Sequence, residues 1–385
     1  MRFFSVFIFF LWLITVANAQ TINIAVFYES SIKSAILTPV TGQYQLICDT
    51  TVILSLNQNE VVSLSIVGDS INVKSIDKQL GKYHALKLKA INVFCSVKLK
   101  PIQPDIKQRI YDGDFKIKPL YGRLLFINKV HIDSYLAGVV EAEGGYKAFS
   151  EYYKSQAVLC RTYVYENILK HQTEDFNLCD GVHCQAYKGK CQKNEVIKEA
   201  TFQTSGKVIV DSNGNLITAA FHSNCGGETS NSQDVWVMPK SYLTSVNDPY
   251  CKAQLNSLWS KSIPVADWKN YLERKGIKVK PADFAFDGVF FDQPKRKRSF
   301  SWNGDSIPLK NMRTDLHLKS TFFSLELKEG QVLFKGRGYG HGVGLCQEGA
   351  MKMASKGFNY QDIIKHYYQN VFIKDISELN ILKYD

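Results

Sequence analysis

Apolar and polar residues alternate in short runs from Gln20 to about Asp105: INIAVFY, YQLICD, TVILSL, SLSIVG and NVFCSVKLK, separated by Asn, Gly, Asp and Ser. A period of two with turn residues between the runs predicts strands, and so an all-β module. YGRLLFINKV predicts one more strand, after which the period changes. No Gly or Pro occurs from Tyr146 to His171, and Phe149, Tyr153, Ala157, Cys160, Val164 and Ile168 recur at spacings of three and four. That is the buried stripe of a helix. Lys154 and Arg161, seven residues apart, share a different face of it. KVIV and LITAAF flank Asp211-Ser212-Asn213-Gly214, and the Asn-Gly pair predicts a β-hairpin. A variable segment from about 255 to 321 carries one helix, VADWKNYLERKG, among polar loops. The chain closes with a strand over LFKGRGY and helices over GAMKMASKG and YQDIIKHYYQ, with no internal repeat. The fold class is therefore α+β: mixed helices and antiparallel strands over 111–385, preceded by a small β-rich module over 20–110.

The first residues, MRFFSVFIFFLWLITVANAQ, place Arg2 before an apolar run and end it with Ala17-Asn18-Ala19. This predicts a secretory signal over 1–19, cleaved after Ala19, since the apolar run is shorter than the roughly 18 residues of a spanning helix. No later stretch qualifies as a transmembrane anchor, so the expected location is secreted or periplasmic. The 47 Lys and Arg against 36 Asp and Glu give a formal charge of +11 over 385 residues. A basic exported protein suits an anionic surface such as a cell-wall polymer or lipid headgroup, and the address argues against nucleic acid. Lys295-Arg296-Lys297-Arg298 is then a solvated loop.

The nine cysteines are odd in number, so at least one is unpaired or binds metal. Cys48 and Cys95, the only two in the β-rich module, are a candidate disulfide, as are Cys225 and Cys251; Cys160 and Cys346 are expected as free buried thiols. Cys179-Asp180-Gly181-Val182-His183-Cys184 packs two thiols and an imidazole into six residues, a set that suits a closed structural zinc. His171 is the best fourth ligand and Cys191 the reserve, with a Cys179–Cys184 disulfide as the alternative. A zinc peptidase is disfavoured by the absence of H-E-x-x-H. In GRGYGHGVGLCQEGA glycine occupies every second position from Gly336 to Gly344, which fits neither G-x-G-x-x-G nor a phosphate loop. Something must approach that backbone closely, either a ligand or another stretch of the chain itself.

Four segments stand in order: YLAGVVEAEGG with KSQAVLCRTY, CDGVHCQAYKG, AAFHSNCGGETSNSQDVW with SYLTSVNDPYC, and GRGYGHGVGLCQEGA. Together they resemble the SpoIID/LytB family, from about Tyr121 to the C-terminus. The resemblance implies a SpoIID-like catalytic region and a lytic transglycosylase, which cuts MurNAc-GlcNAc bonds of peptidoglycan glycan strands without water and leaves 1,6-anhydro ends. It places the catalytic carboxylate at Glu143, three residues past the second Val of Gly138-Val139-Val140, with Gly144-Gly145 where the family has Met-Pro. Lys154 and Arg161 match its K-x-Q-A-V-x-x-R-T motif as substrate-binding cations, and His222 and Glu228 are implied to line the glycan cleft. Tyr339 and His341 would then add stacking and a polar contact from a glycine run laid against the sugar chain. Some relatives bind zinc at the matching Cys179, His183 and Cys184. No cofactor is implied for catalysis, and Glu141 is given no role. The alternative is a non-catalytic LytB-type protein that binds peptidoglycan and enhances a wall amidase.

Overall fold

Strand edges decide the architecture, because the runs of the first hundred residues pair with later ones. The computed structural model describes residues 20–145, 147–236, 238–284 and 288–379; the expected signal over 1–19 lies outside them. A seven-stranded sheet runs in the order Leu178–Cys179, Thr21–Val26, Arg123–His131, Asp114–Leu120, Leu86–Ala90, Tyr44–Cys48 and Thr51–Leu56. All its pairings are antiparallel except Ile24 and Ala25 with Leu178 and Cys179. A six-stranded antiparallel sheet, from Arg109–Asp112 to Gln79–Tyr83, lies with it around one core. The mixture of helices and antiparallel strands is the α+β class expected, with a strand-rich N-terminal region.

The expected boundary at 110 is corrected. Thr21–Val26 pairs along its whole length with His131–Phe126, and Leu86–Leu88 pairs with Phe115–Ile117. Unpaired strand edges would expose rows of N–H and C=O groups, and here later strands satisfy them, so residues 20–110 are not a separate unit. The same core continues into helices α1 (Ile132–Gly144), α2 (Ser150–Glu166) and α3 (Glu195–Gln203).

The variable segment builds a second core with Trp268, Phe300, Phe323 and Phe334 at its centre. The expected helix is present as Val265–Arg274, but the segment expected as loops also supplies strands, joined by Phe322–Lys328 and Gln331–Arg337 into a four-stranded sheet. The hairpin at 207–221 is only begun. Its turn closes through Gly214 N–H to Asp211 C=O at 3.1 Å, yet the return arm makes a single bridge, Val210 with Leu216. Lys207–Val210 takes its regular partner from Phe372–Asp375 instead.

Candidate functional site

Glu143 sits in the last turn of helix α1, directly before Gly144-Gly145. Helix α1 starts where the His131 ring accepts a hydrogen bond from Asp133 N–H at 3.2 Å, and it ends at Gly145, whose φ of 71° suits glycine. Gly138 lets it lie close to the following loop, since a Cβ there would fall 2.2 Å from the Gly189 carbonyl oxygen. The helix is thereby pressed onto residues 186–189, and the Glu143 Oε1 accepts from Ala186 N–H at 2.8 Å. Burial pushes the Glu143 carboxyl above the usual carboxylate range, against the Ala186 hydrogen bond and the nearby Lys188 charge, which pull it down. Glu141 is differently employed. Its Oε1 accepts from Gln192 N–H at 3.0 Å, Lys193 N–H at 2.6 Å and the Cys191 thiol at 3.1 Å, which fixes the turn before α3.

Arg161 is corrected from a substrate ligand to a framework residue. Its side chain is 0% exposed and meets Asp133 of α1 at 2.6 Å. It also donates to the carbonyls of Thr201, Thr204 and Lys207 at 3.1, 2.7 and 3.3 Å. A guanidinium so enclosed has no face left for a sugar; it binds α1, α2 and the end of α3 together. Lys154, on the same helix, is paired with Glu151 at 2.6 Å, and Glu151 in turn accepts from Tyr360 N–H at 2.9 Å. Lys188, not Lys154, is the cation that acts on Glu143.

The loop after α2 brings His171, Cys179, His183 and Cys184 together, their ligand atoms all within 4.8 Å of one another. The His171 Nδ1 is held by Glu174, which turns Nε2 toward Cys184 Sγ at 3.5 Å. His183 Nδ1 stands 3.8 Å from both sulfurs. Cys191, the reserve ligand, is spent on Glu141. Asp180, between the ligands, accepts from Phe27 N–H at 2.7 Å, Tyr28 N–H at 3.1 Å and Arg109 at 2.6 Å. The N-terminal strands thus anchor the ligand loop, and two residues past Cys184 that loop reaches Glu143 through Ala186.

The glycine run crosses the chain's own backbone rather than offering a bare face to a ligand. A Cβ on Gly344 would fall 2.1 Å from the Ala220 carbonyl oxygen, and one on Gly338 2.5 Å from that of Asn224. Phe221–His222 and Leu345–Cys346 lie side by side as a short parallel pair. This close crossing brings the His222 and His341 rings together, tilted with centroids 5.5 Å apart, and Trp236 lies 5.9 Å from His341. Tyr339 is 46% exposed with the Lys319 ammonium 6.0 Å above its ring, so it alone of the run presents an open aromatic surface. His222 donates from Nδ1 to the Val343 carbonyl at 3.1 Å, and its buried Nε2 has no partner among the described residues. Burial, with His341 and Arg296 nearby, holds His222 well below its ordinary pKa; burial, then Arg313, pushes His341 down to about 4. Both rings are neutral at physiological pH, which leaves the His222 Nε2 as a hydrogen-bond acceptor. Glu228 accepts from Ser245 Oγ at 3.1 Å and from Arg296 N–H at 3.2 Å.

Gln347 joins the two regions: its amide donates to the Glu143 carbonyl oxygen at 3.1 Å. It stands in the glycine-rich stretch itself, directly after Cys346, but nothing in its spacing marks it. Trp236 likewise lay in the DVW that closes the third segment. A wide groove of about 640 Å³ opens on the smaller core, between Trp259, Gln293 and Lys335, and none of the candidate residues lines it.

The Cys48–Cys95 disulfide is corrected by the strand that lies between the two residues. The Cys95 thiol lies against the Gln43 carbonyl at one end of the strand Tyr44–Cys48, and Cys48 is at the other. Five residues at about 3.3 Å each separate those ends by roughly 17 Å, beyond any disulfide. Cys225 and Cys251, the other candidate pair, are in contact at 3.3 Å, in a buried group that includes the thiol of Cys346.

The sequence model of the family described as "Stage II sporulation protein" matches residues 121–210, which carry Glu143, Lys154, Arg161 and all four members of the His171 group. An uncharacterised protein of Brachyspira hyodysenteriae is 29% identical over 275 residues, 70% of this chain and 74% of the relative. The stage II sporulation protein D of Bacillus amyloliquefaciens is 28% identical over 267 residues, 66% of this chain and 76% of the relative. An amidase enhancer of Bacillus subtilis is 30% identical over 284 residues, 60% of this chain and 39% of the relative.

Proposed function

The chain belongs to the SpoIID/LytB family, and from that premise we propose that it is a peptidoglycan lytic transglycosylase with Glu143 as its single acid and base. Its function is related to the cell wall. The observation that carries the finer reading is the contrast between two carboxylates on one helix. Glu143 is raised by burial and has one amide donor, whereas Glu141 takes three donors on its Oε1, which tie it to the turn before α3.

A carboxyl raised above its usual range holds its proton to a higher pH than an ordinary carboxylate does, as an acid at the glycosidic oxygen must. In the reaction, Glu143 gives that proton to the oxygen leaving with GlcNAc, and the bond from C1 of MurNAc to that oxygen breaks. The cationic C1 is captured by the sugar's own O6, whose proton passes to the Glu143 carboxylate. The acid is restored, the 1,6-anhydro ring is closed, and no water is consumed. A hydrolase would need a second carboxylate to place water or hold the sugar, and Glu141 is instead engaged through Oε1 by three donors of the turn before α3. Ala186 N–H and Gln347 fix the carboxyl and its backbone, while the exposed ring of Tyr339 supplies surface for a hydroxyl-rich glycan. His171, Cys179, His183 and Cys184 would hold a zinc ion whose contribution is structural. The two sulfurs and two ring nitrogens form a closed set of four, and Glu174 orients His171 as carboxylates orient ligating histidines.

The likeness to an amidase enhancer favours a second reading, in which the chain binds peptidoglycan without cutting it and acts with a wall amidase. Release of soluble fragments from purified peptidoglycan separates the two. Glu143→Gln keeps the acceptor for Ala186 but cannot transfer a proton, so release should fall by at least ~100-fold with glycan binding kept. Glu141→Gln should keep activity and lose about 1–2 kcal/mol of stability. Binding without release by the wild-type protein would support the enhancer reading instead.

A further inference from the structure

Three segments of the second half converge on a buried group of four: Cys225 after the strand Phe221–His222, Asp248 and Cys251 from NDPYC, and Cys346 at the start of the helix Gln347–Ser355. All four are 0% exposed, and their ligand atoms lie within 4.8 Å of one another. The Cys225 sulfur is 3.3 Å from that of Cys251 and 3.2 Å from Asp248 Oδ2. Backbone amides point at the other two sulfurs: Cys225 N–H and Gly349 N–H at Cys346, 3.3 and 3.4 Å away, and Gly227 N–H at Cys251, 3.2 Å away. Tyr367 O–H and Tyr250 N–H hold the two oxygens of Asp248 at 3.0 and 2.9 Å.

Such a group needs a reason to be buried. A carboxylate and three thiols out of water are costly without a cation or a covalent link. A disulfide uses two sulfurs and leaves the third thiol and the aspartate unanswered; a cation uses all four. Around a tetrahedral zinc, with sulfur about 2.3 Å and oxygen about 2.0 Å away, neighbouring ligand atoms are roughly 3.5–3.8 Å apart. The separations here bracket that range. Amide donors on the sulfurs and a hydroxyl on the carboxylate are the outer contacts that steady metal-bound thiolates and aspartates. The Arg296 guanidinium, which donates to the Cys225 carbonyl at 2.7 Å, adds positive charge beside them.

We propose that Cys225, Asp248, Cys251 and Cys346 form a second structural zinc site, separate from the His171 group. Its four ligands are filled by protein and closed to solvent, so it has no position for water or substrate. Its work is to fasten the segments that carry His222, Glu228 and His341 to the helix that begins at Gln347. The proposal does not depend on what the protein does to glycan, because nothing in its test reads activity.

The test is zinc content with differential alkylation and peptide mapping, on the purified wild-type protein and on His183→Asn, which disables the first group. His183→Asn should retain about one equivalent of zinc. In both proteins a chelator should turn Cys225, Cys251 and Cys346 together from unreactive to alkylated. The wild-type mapping stands even where the variant folds poorly. A peptide linking Cys225 to Cys251 by a disulfide, or three thiols whose reactivity ignores the chelator, overturns the site.

Discussion

The Glu143 carboxylate accepts a hydrogen bond from Ala186 N–H at 2.8 Å, and Ala186 stands two residues past Cys184. The candidate acid and the His171 group are therefore parts of one local structure. If zinc holds that loop, stripping it should lower the melting temperature and the activity together, and restoring zinc should recover both. Activity lost at an unchanged melting temperature would show that the metal takes part in the chemistry.

The raised pKa of Glu143 has a sign that stability measurements can read. Its folded carboxyl binds a proton more tightly than the unfolded chain does. Between the ordinary carboxylate value and the raised one the native state holds more protons, so stability falls as pH rises through that window and stays lower above it. Glu143→Gln removes this loss. The variant should melt above the wild type at about pH 8, with the difference closing toward about pH 4. A wild type that melts higher at pH 8 would mean that the carboxylate is stabilised as an anion, contrary to an acid role. For the same reason the activity of the wild type should decline on the alkaline side.

Arg161 tests framework against substrate binding. Arg161→Ala leaves Asp133 buried without its partner and frees three carbonyls, and should cost about 3–5 kcal/mol. Denaturant unfolding checks this. A variant of native stability with weakened glycan binding would return Arg161 to the cleft.

How far these features were legible follows from what each one rests on. The His171 group was legible because three of its ligands lie in six residues, where spacing alone fixes proximity. Arg161 was recognised by its motif, but helical spacing gives a face and not what covers it. Its partner Asp133 is on another helix, and the carbonyls it binds lie forty and more residues on. The alternating glycines announced a close approach without naming the neighbour, which proved to be residues 220–226 for Gly338, Gly340 and Gly344, and Trp259 for Gly336. Strands were visible from Gln20 onward as a period of two, but that period says nothing about pairing. The alignment of Thr21–Val26 with Arg123–His131, which abolishes the expected domain boundary, is a long-range fact.

The central claim, that one carboxylate cuts the glycan without water, is tested most directly by mass analysis of glycan fragments after incubation with the protein. The account predicts fragments ending in 1,6-anhydro MurNAc, each lighter by one water than a hydrolysed fragment, and none with Glu143→Gln. Fragments with reducing ends would contradict it, because they require an attacking water and a second group to place it.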